Sequence, residues 1–102
     1  MTPTEILKEA RRLIAEKGWT QGSFARHSNG DPIGPLGDNA ACYCALGAIR
    51  KTGNGPEQVF AVFALADVVG DYVSDWNDDP ARTKEEVLAA FDEAIRRAEE
   101  CQ

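Results

Sequence analysis

The stretch Ala40-Ala41-Cys42-Tyr43-Cys44-Ala45-Leu46-Gly47-Ala48-Ile49 decides the architecture, because ten uncharged and mostly small residues in a row must be surrounded on nearly every side. Read as a helix capped by Asp38 or Asn39 and running to Lys51, it becomes an interior rod that neighbours approach closely at Ala41, Ala45, Gly47 and Ala48. Gly47 costs about 1 kcal/mol against alanine in a helix interior, so its presence there predicts tight backbone packing.

The flanking segments supply the neighbours. Thr2-Pro3-Thr4-Glu5 is a helix start, with a threonine cap, proline at the first helical position and glutamate three residues past the cap. Ile6, Leu7, Ala10, Leu13 and Ile14 then fall on one face, and Gly18 supplies the stop. Thr83-Lys84-Glu85-Glu86 is a second capping box, followed by the stripe Val87, Leu88, Phe91, Ala94, Ile95 and Ala98. Between Gly53 and Val69, Pro56 and Glu57 open a very apolar helix, and Asp71 to Asn77 adds a short helical turn past Gly70.

From Trp19 to Asp38 glycine and proline forbid a regular helix. Asn29-Gly30 favours a tight turn, so residues 23–36 are expected to form a short β-hairpin whose return strand is weakened by Pro32 and Pro35. The expectation is a mainly all-α single domain over residues 1–102: four to five helices bundled around a central apolar helix, with that hairpin.

Composition narrows the function classes. The chain has 102 residues, 43% apolar and 27% charged, which suits one globular core. A net charge of −6 argues against direct nucleic-acid binding, which depends on lysine and arginine displacing counterions. From Thr52 to Ala81 there is no lysine or arginine, while Glu57, Asp67, Asp71, Asp75, Asp78 and Asp79 are all acidic, a distribution that attracts a basic protein partner. No apolar run is long enough to span a bilayer, and Met1-Thr2-Pro3-Thr4-Glu5 lacks the features of a signal peptide. With the odd set Cys42, Cys44 and Cys101, this predicts a reducing cytoplasm and no disulfide framework.

Four constellations invite chemistry. Asp75, Asn77, Asp79, Thr83 and Glu86 occupy positions 1, 3, 5, 9 and 12 of a calcium loop, but the sixth position, which needs a positive φ, is Pro80. An Asx-rich turn between two helices is the better account. Cys42 and Cys44 in a helix would point about 200° apart, with His27 the one imidazole in the chain, so no metal site is expected. A nucleophilic site from Cys44, His27 and an aspartate needs an exposed electropositive cysteine, which an apolar helix beside an acidic segment does not offer. Trp19 and Trp76 stand at element boundaries, either closing the core with their indole N–H groups bonded to loop carbonyls or serving as interface anchors.

Gly18-Trp19, Cys44-Ala45-Leu46-Gly47-Ala48, Trp76-Asn77-Asp78 and Thr83 to Val87 resemble a family of small uncharacterised proteins, a domain of unknown function frequent in phages of actinobacteria such as mycobacteriophages. Cys42 and Asp79-Pro80 depart from that pattern. The resemblance implies a phage or prophage origin and action in a host cytoplasm, and it carries no catalytic residue and no cofactor.

The expectation for function is a noncatalytic module that binds a host or phage protein. The partner-binding residues would be Trp19, Phe24, Arg26 and His27 of the loop with Asp71, Asp75, Trp76, Asn77, Asp78 and Asp79 of the acidic turn; no oligomeric state is implied. A sharper version is an acidic mimic of nucleic acid that blocks a DNA-binding protein. The competing class is a small Cys/His hydrolase or metal-dependent enzyme using His27, Cys44 and acidic residues.

Overall fold

The structure, a computed structural model, describes residues 1–34, 36–37 and 39–100. The chain runs α1 (Pro3–Lys17), β1 (Ala25–Arg26), β2 (Pro32–Ile33), β3 (Cys42–Tyr43), α2 (Ala45–Thr52), α3 (Gly55–Val69), α4 (Val73–Asn77) and α5 (Lys84–Glu100). The expected mainly helical architecture is the one observed, with five helices and a small antiparallel sheet among the described residues. The expected cap Asp38, Pro35 of the return strand and Cys101 lie outside those residues.

Both capping boxes form. At α1 the Thr2 hydroxyl accepts the Glu5 N–H at 3.1 Å and the Glu5 carboxylate accepts the Thr2 N–H at 2.8 Å. At α5 the Thr83 hydroxyl accepts from Glu86 N–H at 3.2 Å, and Glu86 accepts the Thr83 N–H at 2.9 Å. Ile6, Leu7, Ala10, Leu13 and Ile14 of α1 are all buried, as are Val87, Phe91 and Ala94 of α5. Lys8 pairs with Glu99 and Arg11 with Asp92 across the rim of this contact, which sets the two helices antiparallel. These pairs are exposed and contribute about 0.5 kcal/mol each; the apolar faces supply most of the stabilisation.

The span that opens the sequence analysis requires a correction. Residues 40–44 are not helical: Cys42–Tyr43 is a strand, and α2 begins only at Ala45. β3 lies antiparallel to β1, pairing Ala25 with Tyr43 and Arg26 with Cys42, while β2 pairs on the other edge of β1. The expected hairpin is therefore present and has a third strand. Asn39 at φ 64° interrupts any helix from that side, and the Tyr43 N–H and carbonyl are taken by Gly18 O at 3.0 Å and Thr20 N–H at 3.1 Å. A short apolar run satisfies a buried strand as well as a buried helix, and here tyrosine's strand preference and this ladder decide.

Cys44, with φ −79° and ψ 170°, is the N-cap of α2, its Sγ accepting the Gly47 N–H at 3.2 Å. The packing role of Gly47 holds. A Cβ there would fall inside the Phe24 carbonyl, so only glycine lets the backbone before β1 lie against α2. α2 packs on α1, α3, α4 and β3, and Ala45, Ala48 and Ile49 are fully buried.

Candidate functional site

The loop after α1 and the end of α4 are joined by one side chain. Asn77 is fully buried. Its Oδ1 accepts the indole N–H of Trp19 at 2.7 Å and the Ala45 N–H at 3.0 Å, while its Nδ2 donates to Thr20 O at 3.1 Å and Asp78 Oδ1 at 3.0 Å. Gln21 Nε2 adds bonds to the carbonyls of Asn77 and Asp79 at 3.0 and 2.7 Å. A buried amide with all four hydrogen-bonding positions filled is a rigid clasp, since any slippage would leave a desolvated polar group unpaired.

The sequence-expected site residues divide around this clasp. Trp19 and Trp76 are partly buried and pack against the core; Trp19 bonds to a side-chain amide, whereas a loop carbonyl was expected. Trp76 lies under the Arg82 guanidinium, 4.1 Å from its ring. Asp78 accepts the Gly22 N–H at 3.0 Å, and Asp79 accepts the Ala81 N–H at 2.9 Å. Arg26 fills its fork with Thr20 Oγ1, Gln21 O and Gly30 O. Phe24 is 37% exposed beneath Arg50. Asp71 and Asp75 are exposed.

His27 sits apart, in the turn between β1 and β2, where its N–H donates to Asp31 O and its carbonyl accepts from Gly30. Cys44 lies beside Phe24, its N–H bonded to Phe24 O. Phe24 and His27 stand three positions apart, on either side of the extended Ala25–Arg26 strand, roughly 10 Å. The cysteine and histidine are thus not brought together as a nucleophile and base. Burial pushes the Cys44 thiol pKa up, and the Asp78 carboxylate pushes it further in the same direction. This is the reverse of an activated thiolate.

Cys44 nevertheless reaches a cleft of about 350 Å³, lined by Gly22, Ser23, Phe24, Cys44, Ser74 and Asp78. Gly22, Ser23 and Ser74 were not expected there: the reading of residues 40–44 as helix hid the strand that draws this loop and α4 together.

A family model spans residues 1–97. The chain belongs to DUF6197, a family of unknown function. No curated protein and no solved structure matches it. In this DUF6197 chain no helix of the described residues is long and apolar enough to cross a membrane.

The DUF6197 fold has a second feature, on α3. Apolar residues fall on every side of this helix, yet only Ala61 and Leu65 are fully buried. Pro56, Val59, Phe60, Phe63 and Asp67 recur at the spacing of one helical face and are all exposed, Phe60 at 59% and Phe63 at 60%. Tyr72, just beyond the helix, is 80% exposed. Sequence reasoning missed this face because an all-round apolar helix carries no periodic signal of which side meets water.

Proposed function

We propose that the chain is a noncatalytic, phage-encoded binding module that takes a basic amphipathic helix of a host or phage protein on the outer face of α3, in the cytoplasm. The observation that carries this reading is the exposure of Phe60 and Phe63, one turn apart, on a limb of the protein that has acidic residues and no lysine or arginine. Phe60 and Phe63, about three-fifths exposed, each forgo about 1 to 2 kcal/mol relative to full burial, a reserve that a covering partner would realise.

The surrounding charge selects the partner. Asp67 continues the exposed α3 face, Glu57 lies in the first turn of the helix, and the exposed Asp71 and Asp75 follow it in the chain, so a helix with an apolar face bordered by lysine and arginine matches both features. On this reading Trp19, Trp76 and Asn77 hold the support rigid, while Asp71 and Asp75 steer the partner. The resemblance to phage proteins supports a host or phage target.

The test is titration calorimetry with a cationic amphipathic helical peptide. Wild type is expected to bind, the Phe60→Ser/Phe63→Ser variant to lose most of the affinity, and an Asp71→Asn/Asp75→Asn variant to bind more weakly at low salt, with a shallower salt dependence. Failure of the peptide to bind, or equal binding by the phenylalanine variant, defeats the proposal. Steeply salt-dependent binding that ignores Phe60 and Phe63 would instead favour the acidic mimic of nucleic acid.

A further inference from the structure

We infer that the cleft between the Gly22–Phe24 loop, the start of α2 and α4 is a binding site for a small organic cation, a guanidinium or primary ammonium head on a short apolar arm. The inference does not depend on the reading of α3: that stripe can be idle and the cleft still filled. Its volume of about 350 Å³ falls at the small end of ligand pockets, enough for a group of side-chain size.

The sign of the ligand follows from the lining. Asp78 is the acidic side chain in the cleft, and among the described residues it enters no ion pair. Its Oδ1 is fixed by the Gly22 N–H and by Asn77 Nδ2, both at 3.0 Å, and Asn77 is itself pinned by Trp19, Ala45 and Thr20. The carboxylate is therefore oriented before any ligand arrives, which removes an ordering cost that binding would otherwise meet. Oδ2 is left to accept.

An anion would find the opposite situation. The first turn of α2 is a natural anion site, but two of its donors are already committed, the Ala45 N–H to Asn77 Oδ1 and the Gly47 N–H to Cys44 Sγ. Ser23 donates its hydroxyl hydrogen to Ala25 O at 2.9 Å, so its oxygen remains as an acceptor. Ser74 adds a second hydroxyl. Gly22, the protonated Cys44 thiol and the part of Phe24 not covered by the Arg50 guanidinium, which stands 5.1 Å from that ring, give the apolar wall against which a short methylene arm can lie.

The experiment is an amide-resolved NMR titration of the whole chain with n-butylguanidinium, and with n-butyrate and n-butanol as charge controls of the same arm length. Saturable shifts at Gly22, Ser23, Cys44 and Ser74 are expected from the cation alone, weakened about tenfold or more in Asp78→Asn. That variant keeps an oxygen for the Gly22 N–H, and Ser74→Leu, which fills the cleft from α4, is the second variant should Asp78→Asn unfold. A Gly-Gly-Arg-Gly-Gly peptide distinguishes the source: equal affinity points to free amines and guanidines, tighter binding to an arginine presented by a polypeptide. Equal binding of butyrate or butanol, affinity unchanged in both variants, or no saturable shift with butylguanidinium in the tens of millimolar, overturns the inference.

Discussion

Trp19 and Asn77, 58 positions apart, are joined by a 2.7 Å bond from the indole N–H to Oδ1, and that same oxygen holds the Ala45 N–H at 3.0 Å. One amide thus fixes the exit of α1, the start of α2 and the end of α4 relative to one another. Asn77→Leu keeps the volume and strands both donors, at roughly 1 to 3 kcal/mol each. Urea unfolding is expected to show a loss of several kcal/mol, and a loss under about 0.5 kcal/mol would mean that the clasp is not what holds these elements.

Gly47→Ala separates helix propensity from packing. Alanine favours the helix by about 1 kcal/mol, but its Cβ would occupy the space of the Phe24 carbonyl. The strand side must retreat, so net destabilisation of about 1 to 3 kcal/mol is expected in denaturant unfolding. A stabilised variant would show that the backbone before β1 yields freely.

These two positions also show how far the residues alone could be read. Both ends of α1 and the start of α5 were legible to the residue, because each helix joins a capping box to a 3.6-residue stripe and both signals are local. The hairpin was legible from Asn29-Gly30. Residues 42–44 were not: a run of small apolar residues carries no period, and cysteine is not among the usual N-capping residues. Gly47 was correctly marked as a close-packing site, although its neighbour is a loop backbone and not a helix. The Asn77 clasp was illegible for another reason, since its partners lie more than thirty residues away and no local pattern announces them. For the candidate site this meant that Asp78 was named while Ser23, Ser74 and the exposed Phe60 and Phe63 were not.

Cys44 is expected to act as a cap and not as a nucleophile. Cys44→Ala removes the acceptor of the Gly47 N–H and should cost about 1 kcal/mol, while Cys44→Ser restores an acceptor and should lose less. Because burial raises the thiol pKa, iodoacetamide should modify Cys44 in the native protein far more slowly near neutral pH than in urea, as followed by peptide mass spectrometry. Equal rates in the two states would contradict the buried cap.

Glu93 sets an acid limit on α5. Hydrogen bonds from Arg96, then from Arg97, hold its carboxyl down to about 2, against an ordinary 4.5. The folded pKa lies below the unfolded one, so the unfolded chain takes up the proton first as pH falls. The contribution of Glu93 is therefore complete above about 4.5 and fades towards 2. The stability gap between wild type and Glu93→Gln, from urea midpoints at stepped pH, should be level down to that upper value and narrow below it. A gap that widens on acidification would reverse the assignment.

The cation-free limb has a practical consequence for mapping any complex. Trypsin, which cuts after lysine and arginine, has no site between Lys51 and Arg82, so α3 and α4 leave the digest together on one long peptide. Amine-directed crosslinkers find no lysine there either. A contact on Phe60 or at Asp78 would be silent to lysine chemistry and visible to carboxylate-directed reagents, with Asp67, Asp71, Asp75 and Asp78 spaced along that peptide as reporters.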